Sequence, residues 1–176
     1  MSISQQDPVN QLSTNAKVLS YLLQAENNDC LCVRDEDDQP IGSRTYLELL
    51  ITQTREVRVL LDVGAQLLDM KNIEVAMYWL SLRSEVNSHI QAAIFFNDSD
   101  ELVVVSRDGN IESLVSSSFY QQLDQCLVYL DDAHTRGTDL KLPLATRAAV
   151  TLGPRVTKDR LLQGRFDILS IFFKNR

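Results

Sequence analysis

Cys126-Leu127-Val128-Tyr129-Leu130 runs without a break into Asp131-Asp132-Ala133-His134-Thr135-Arg136-Gly137-Thr138-Asp139-Leu140-Lys141-Leu142-Pro143, and Ala148-Ala149-Val150-Thr151-Leu152 follows. Five consecutive apolar residues fit a strand buried on both faces. A polar loop comes next, then a second short apolar run closed by Gly153-Pro154. Thr157-Lys158-Asp159-Arg160-Leu161-Leu162-Gln163 opens a helix, with Thr157 placed as its cap. Strand, loop, strand, helix is the grammar of an α/β fold. In an open parallel sheet, ligands bind beyond the carboxyl ends of the strands. The same stretch therefore nominates a cleft-edge binding loop: Asp131, Asp132, His134, Arg136, Gly137, Thr138 and Asp139.

Working outward, Val57-Arg58-Val59-Leu60-Leu61 is short and β-rich, and Asp62-Val63-Gly64-Ala65-Gln66 follows it. An apolar strand ending in Asp-x-Gly-Ala predicts a turn at Gly64 and then a helix over Gln66–Met70. A further helix is expected over Ile73–Arg83, with Val75, Ala76, Trp79, Leu80 and Leu82 as a broad apolar face. Another starts at Ser43, with Leu47, Leu49 and Leu50 facing inward. Ala92-Ala93-Ile94-Phe95-Phe96 reads as a second interior strand. Leu102–Val105 and Ile111–Val115 flank Asp108-Gly109, a strong hairpin signal. The fold class expected is thus α/β: a mostly parallel sheet flanked by helices, with an antiparallel hairpin insertion. Phe119–Gln125 reads as a short helix or linker.

Three divisions are expected along the chain. Residues 1–42 form a helical and loop extension, with a helix capped by Ser13 and a solvated acidic run at Asp35–Asp38. Residues 43–165 form the α/β core, incomplete as it stands. Residues 166–176 form an atypical tail in which Phe166, Ile168, Leu169, Ile171, Phe172 and Phe173 crowd together. The chain has 176 residues, of which 17 are Lys or Arg and 24 are Asp or Glu, giving a net charge of −7. That balance argues against a sequence-independent grip on nucleic acid, which needs clustered positive charge. No apolar run approaches the roughly 20 residues of a membrane helix, and the first residues carry no secretory signal pattern. Three cysteines, Cys30, Cys32 and Cys126, form neither a disulfide framework nor a zinc pattern. An intracellular home, cytoplasmic or nuclear, is expected.

The loop after Leu130 admits three chemical readings. Asp131-Asp132-Ala133-His134 looks like a Walker B sequence, in which the first acid holds magnesium through water and the second activates a water. The chain has no Gly-rich phosphate loop, so it cannot hold a triphosphate alone. Arg136-Gly137-Thr138-Asp139-Leu140 resembles motif V of superfamily-two helicases, and most of all the corresponding stretch of the bacterial protein-translocating ATPase. Gln163-Gly164-Arg165 resembles part of motif VI, which adds Gln163 and Arg165 to the candidate site. The resemblance implies a second RecA-like lobe that offers an Arg across a cleft to charge developing on phosphate. The third reading pairs Cys126 as nucleophile with His134 as base, which needs heavy atoms about 3 Å apart. His89, the other histidine, has no partner legible in the sequence.

Taken together, Leu60–Gln66 with the helix to Leu80, Ala93–Asn97 with the hairpin, and Leu123–Pro143 through Gln163 resemble the core of very large fungal proteins labelled ubiquitinyl hydrolase, or ubiquitin thioesterase. The likeness covers roughly residues 44–163 and implies that the chain corresponds to one internal piece of a much larger parent. It implies thiol-dependent cleavage of ubiquitin from protein conjugates, with ubiquitin or a ubiquitinated protein as partner and no cofactor. The family has Asp-Glu-Ala-His where this chain has Asp131-Asp132-Ala133-His134, and a Cys-Met-Arg-Met-Arg type stretch after Gln163 that is absent here. The Asp-Gly-x-Cys nucleophile motif of the ovarian-tumour type deubiquitinases is also absent, so no catalytic residue carries over.

Overall fold

The computed structural model describes residues 41–53, 56–83, 89–135, 138, 140–143 and 146–152. The expected N-terminal helix, the acidic run, Arg136, Gly137, Asp139, Gln163, Arg165, the helix at Thr157 and the apolar tail lie outside the described residues. The elements are α1 (Ser43–Ile51), β1 (Val57–Leu61), α2 (Asn72–Arg83), β2 (Ala92–Phe96), β3 (Leu102–Ser106), β4 (Ile111–Ser113), β5 (Cys126–Leu130) and β6 (Arg147–Val150). Three short 3₁₀ turns, at Leu114–Ser116, Ser118–Gln121 and Leu123–Gln125, lead into β5. Among the described residues no helix is long and apolar enough to cross a membrane.

Six strands form one mixed sheet in the order β4-β3-β2-β5-β1-β6. The block β2-β5-β1-β6 is parallel throughout, and β3 and β4 extend it as an antiparallel meander. This is the α/β fold expected. β5 lies between β2 and β1, and all five of its residues are buried, as its unbroken apolar run requires. Successive strand side chains point to opposite faces, and the core divides accordingly. On one face Leu60, Ala93, Phe95, Leu127 and Tyr129 meet Leu47 and Leu50 of α1 and Val75, Ala76, Trp79 and Leu80 of α2. On the other, Val59, Leu61, Ile94, Val128 and Leu130 meet Leu114, Leu140 and Leu142, with Phe119 and Leu123 packed alongside.

Local chemistry explains the element ends. α2 carries Glu74 in its first turn and Arg83 in its last, matching the helix dipole at both termini. Glu74 reaches back to accept from Lys71 N at 2.8 Å. Arg83 is buried and donates from Nη2 to Val57 O at 2.9 Å, tying the end of α2 to the start of β1. α1 starts at Gly42 with no capping side chain of its own; Ser43 instead donates through N and Oγ to the Asp69 carboxylate. The Asp108-Gly109 turn forms as expected, with Gly109 at φ 79°.

The turn at Gly64 forms as expected, with Ala65 beside it at φ 49°. Three expectations are corrected. No helix forms over Gln66–Met70, where the chain makes turns. Leu49 is 42% exposed, so α1 presents Leu47 and Leu50 to the core without it. β4 stops at Ser113, and Val115 stands 78% exposed.

Candidate functional site at the carboxyl edge of the sheet

Parallel strands end together, so β2, β5, β1 and β6 bring Phe96, Asp131, Asp62 and Thr151 to one edge. Pairing continues one residue past the strands: Asp62 N donates to Leu130 O at 2.8 Å and Thr151 N to Leu61 O at 2.9 Å. Two carboxylates then organise the edge, each by accepting from donors the backbone leaves open.

Asp62 is 2% exposed. Its Oδ1 accepts from Gln66 N at 2.8 Å and from Thr151 Oγ1 at 2.6 Å, while Oδ2 accepts from Leu67 N at 3.0 Å. Gly64 N in turn donates to Thr151 Oγ1 at 2.9 Å. The expected helix after β1 is missing: Asp62 accepts from the Gln66 and Leu67 amides, and the chain continues to Met70 in turns. The buried charge is compensated by three donors, as burial demands. It also helps hold the Tyr46 hydroxyl neutral: burial first, and the Asp62 charge second, push that phenol up to about 12. The same two causes, in the same order, raise Tyr129.

Asp131 begins the loop after β5. Its Oδ1 accepts from His134 N at 3.0 Å and lies 2.6 Å from His134 Nδ1; its Oδ2 accepts from Asn72 Nδ2 at 2.5 Å. Asn72, the first residue of α2, also donates to Phe96 O at 3.0 Å, so one amide group bridges the ends of β2 and β5. The His134 ring stacks on Phe96, with centroids 4.0 Å apart and planes 8° from parallel. Its Nε2 lies 3.1 Å from Asp100 Oδ1, in the turn between β2 and β3. That turn is set by Asn97, whose Oδ1 accepts from Ser99 N and Glu101 N, and Asp100 takes a left-handed φ of 57°. Thr138 Oγ1 donates to His134 O at 3.0 Å, and Thr135 is buried beside the loop.

Of the candidate residues, the structure brings Asp131 and His134 into direct contact, places Thr138 against His134, and leaves Asp132 half-buried. Three protein donors face the Asp131 carboxylate, two at Oδ1 and one at Oδ2, and tie it to the loop and to α2. Among the described residues no group of His, Cys, Asp and Glu is arranged to hold a metal ion. The Cys126–His134 pair is not formed. Cys126 opens β5 and His134 lies beyond its far end, and five strand residues at about 3.3 Å each separate them. Cys126 is 1% exposed, its thiol lies 3.6 Å from Gln122 O, and burial pushes it up to about 12, with the nearby Asp124 charge adding. His89 does have a partner: its Nε2 lies 3.5 Å from Glu56 Oε2.

Sequence reasoning missed Asn72, Phe96 and Asp100 as parts of this edge. Asn97-Asp98-Ser99-Asp100 is turn chemistry, but its pairing with a histidine 34 residues later is not a local signal. Comparison with protein-family models, with curated proteins and with solved structures finds no match for this chain.

Proposed function

We propose that this domain is a RecA-like lobe of the helicase type, lending its carboxyl edge to a site completed by another part of a larger protein. One observation supports the reading above others: Asp131–Thr135 leaves an interior parallel strand at its carboxyl end, held by side chains from α2 and from the β2–β3 turn. A lobe of this kind needs no phosphate loop of its own. Its role is to offer a cation to charge developing on a phosphate held elsewhere, and the sequence supplies Arg136 for it. Asp131 then acts as the positioning residue for the loop. The test is nucleotide-stimulated turnover of the larger protein that carries this lobe. Loss of that turnover in Arg136→Ala and in Asp139→Ala supports the lobe; unchanged turnover in both overturns it.

A second reading is favoured by one contact. The 2.6 Å approach of Asp131 to His134 Nδ1 has the geometry of the orienting acid and base of a nucleophilic triad. On this reading the chain belongs to a ubiquitinyl hydrolase, ubiquitin is the partner, and the nucleophile is a thiol other than Cys126. A ubiquitin-based suicide probe should then label a cysteine that is not Cys126, with labelling lost in His134→Ala. Labelling at Cys126, or an adduct indifferent to His134, would count against it.

A further inference from the structure

The geometry points to a proton-operated latch at His134 that fastens the β2–β3 turn to the loop after β5. The imidazole stands between two carboxylates from different elements: Asp131 Oδ1 at 2.6 Å from Nδ1 and Asp100 Oδ1 at 3.1 Å from Nε2. Carboxylates only accept, so both contacts are hydrogen bonds only when the ring carries two protons. A neutral ring keeps one N–H and must choose. Nδ1 holds it, because that contact is shorter and lies against Asp131, whose side chain is 23% exposed, whereas Asp100 is 84% exposed. Nε2 then turns a lone pair toward a carboxylate, and the Asp100 contact opens. The Phe96 stack and the His134 N to Asp131 bond stay, since neither depends on the ring proton.

Charges on the surrounding elements are Asp131 and Asp132 on the loop, Asp98, Asp100 and Glu101 on the turn, and Lys71 and Glu74 at the start of α2. Lys71 lies 3.7 Å from Asp98 and so holds the neighbouring part of the turn independently of the ring. What the latch sets is the tie between the turn and the loop: when it opens, the Asp100 contact is lost while the Asp131 contact stays. It rests on these contacts alone, whichever ligand the edge takes.

The test follows the whole chain by NMR across pH 5 to 8, reading His134 ring signals, the Ser99–Glu101 amide shifts and their hydrogen exchange corrected for intrinsic rate. The turn should move with the same midpoint as the ring. Its protection should fall by a factor of about two to five on deprotonation, the change that one exposed ion pair supplies. Asp100→Asn offers an amide that pairs with either ring form and should flatten the turn's response while the ring still titrates. His134→Gln should flatten it as well. A turn that ignores the ring's protonation in the native chain, or still follows it in Asp100→Asn, overturns the latch.

Discussion

Strand β5 ends in two different kinds of chemistry. At its amino end, cations meet carbonyls: Arg58 Nη1 donates to Asp124 O at 2.5 Å, Arg107 donates to Ile90 O at 2.8 Å and Leu80 O at 3.2 Å, and Arg83 donates to Val57 O. At its carboxyl end, carboxylates meet amides: Asp62 takes Gln66 and Leu67, and Asp131 takes His134. The rule behind the contrast is simple. A helix that stops leaves carbonyls open, as the end of α2 does, and turns that follow strands leave amides open; each finds the charge of opposite sign. The amino end buries its thiol and ties its arginines to carbonyls, with Arg83 Nε and Arg107 Nη2 left buried without a hydrogen-bond partner. The carboxyl end gathers amides around Asp62 and Asp131, and leaves one ring nitrogen facing an exposed residue.

The sharpest way to break this comparison is to remove the compensating group at each end. Asp62→Ala leaves the buried Leu67 amide and Thr151 hydroxyl without their acceptor, and should cost about 3–4 kcal/mol of unfolding free energy in urea titration. Cys126→Ala at the other end removes a small buried hydrophobe and should cost about 1 kcal/mol. Equal losses would show that the two ends do not differ as described.

Alkaline titration sharpens the same contrast. The Cys126 thiol goes from an ordinary value of 9.0 up to about 12, and the Tyr46 phenol from 10.0 up to about 12. Both are acids whose neutral form is favoured by folding. Their contribution is therefore complete below the unfolded values and is lost as pH rises from about 9 toward 12. Each group steepens the fall by at most about 1.4 kcal/mol per pH unit. Cys126→Ala should remove the part that begins near pH 9 and Tyr46→Phe the part that begins near pH 10. Urea midpoints that stay level between pH 9 and 11 would contradict the burial of both.

The thiol's shift also predicts its reactivity. A rise of three units lowers the thiolate fraction at neutral pH about a thousandfold, before access is considered. Peptide mapping after iodoacetamide should find Cys126 unmodified in the folded chain and modified in urea. Rapid labelling in the native state would return Cys126 to the candidate nucleophiles.

Much of this architecture was legible from local pattern. The unbroken apolar runs Ala92–Phe96 and Cys126–Leu130 announce interior strands, Asp108-Gly109 announces a hairpin, and the spacing of Val75, Ala76, Trp79 and Leu80 announces α2. What local pattern lacks is partnership at long range. Nothing in Asn72 signals Asp131, 59 residues away, and nothing in Thr151 signals Asp62, 89 residues away. The helix expected at Gln66–Met70 was read from the segment alone, which does not show the contacts that Asp62 and Thr151 make around its start. Of the candidate loop, Asp131 and His134 were found from residue type and position after a strand, but their roles were not. From sequence Asp131 reads as an acid that holds magnesium through water; the structure shows it holding Asn72 and His134.

The smallest expected effect lies away from both ends, at the start of α1, and asks whether the rule of open amides and carboxylates extends across the fold. Gly42 offers no side chain, so Asp69 caps the helix from a distant turn through Ser43 N and Oγ. The Ser43 hydroxyl first, with Ser43 N, its own amide and Arg44 adding, holds the Asp69 carboxyl below the usual carboxylate range against a modest opposing effect of burial. A depressed carboxylate stabilises above its unfolded value, and that contribution is lost as pH falls through the folded one. Asp69 is exposed, so solvent screening limits its worth, and Asp69→Ala should cost about 0.5 kcal/mol at pH 7. The difference between variant and parent should shrink toward zero as pH falls through the lowered folded value, where the unsubstituted chain loses the charge as well. A deficit that persists undiminished in acid would mean that Asp69 supports the turn by its shape, and that the pairing of open amides with carboxylates is confined to the edge of the sheet.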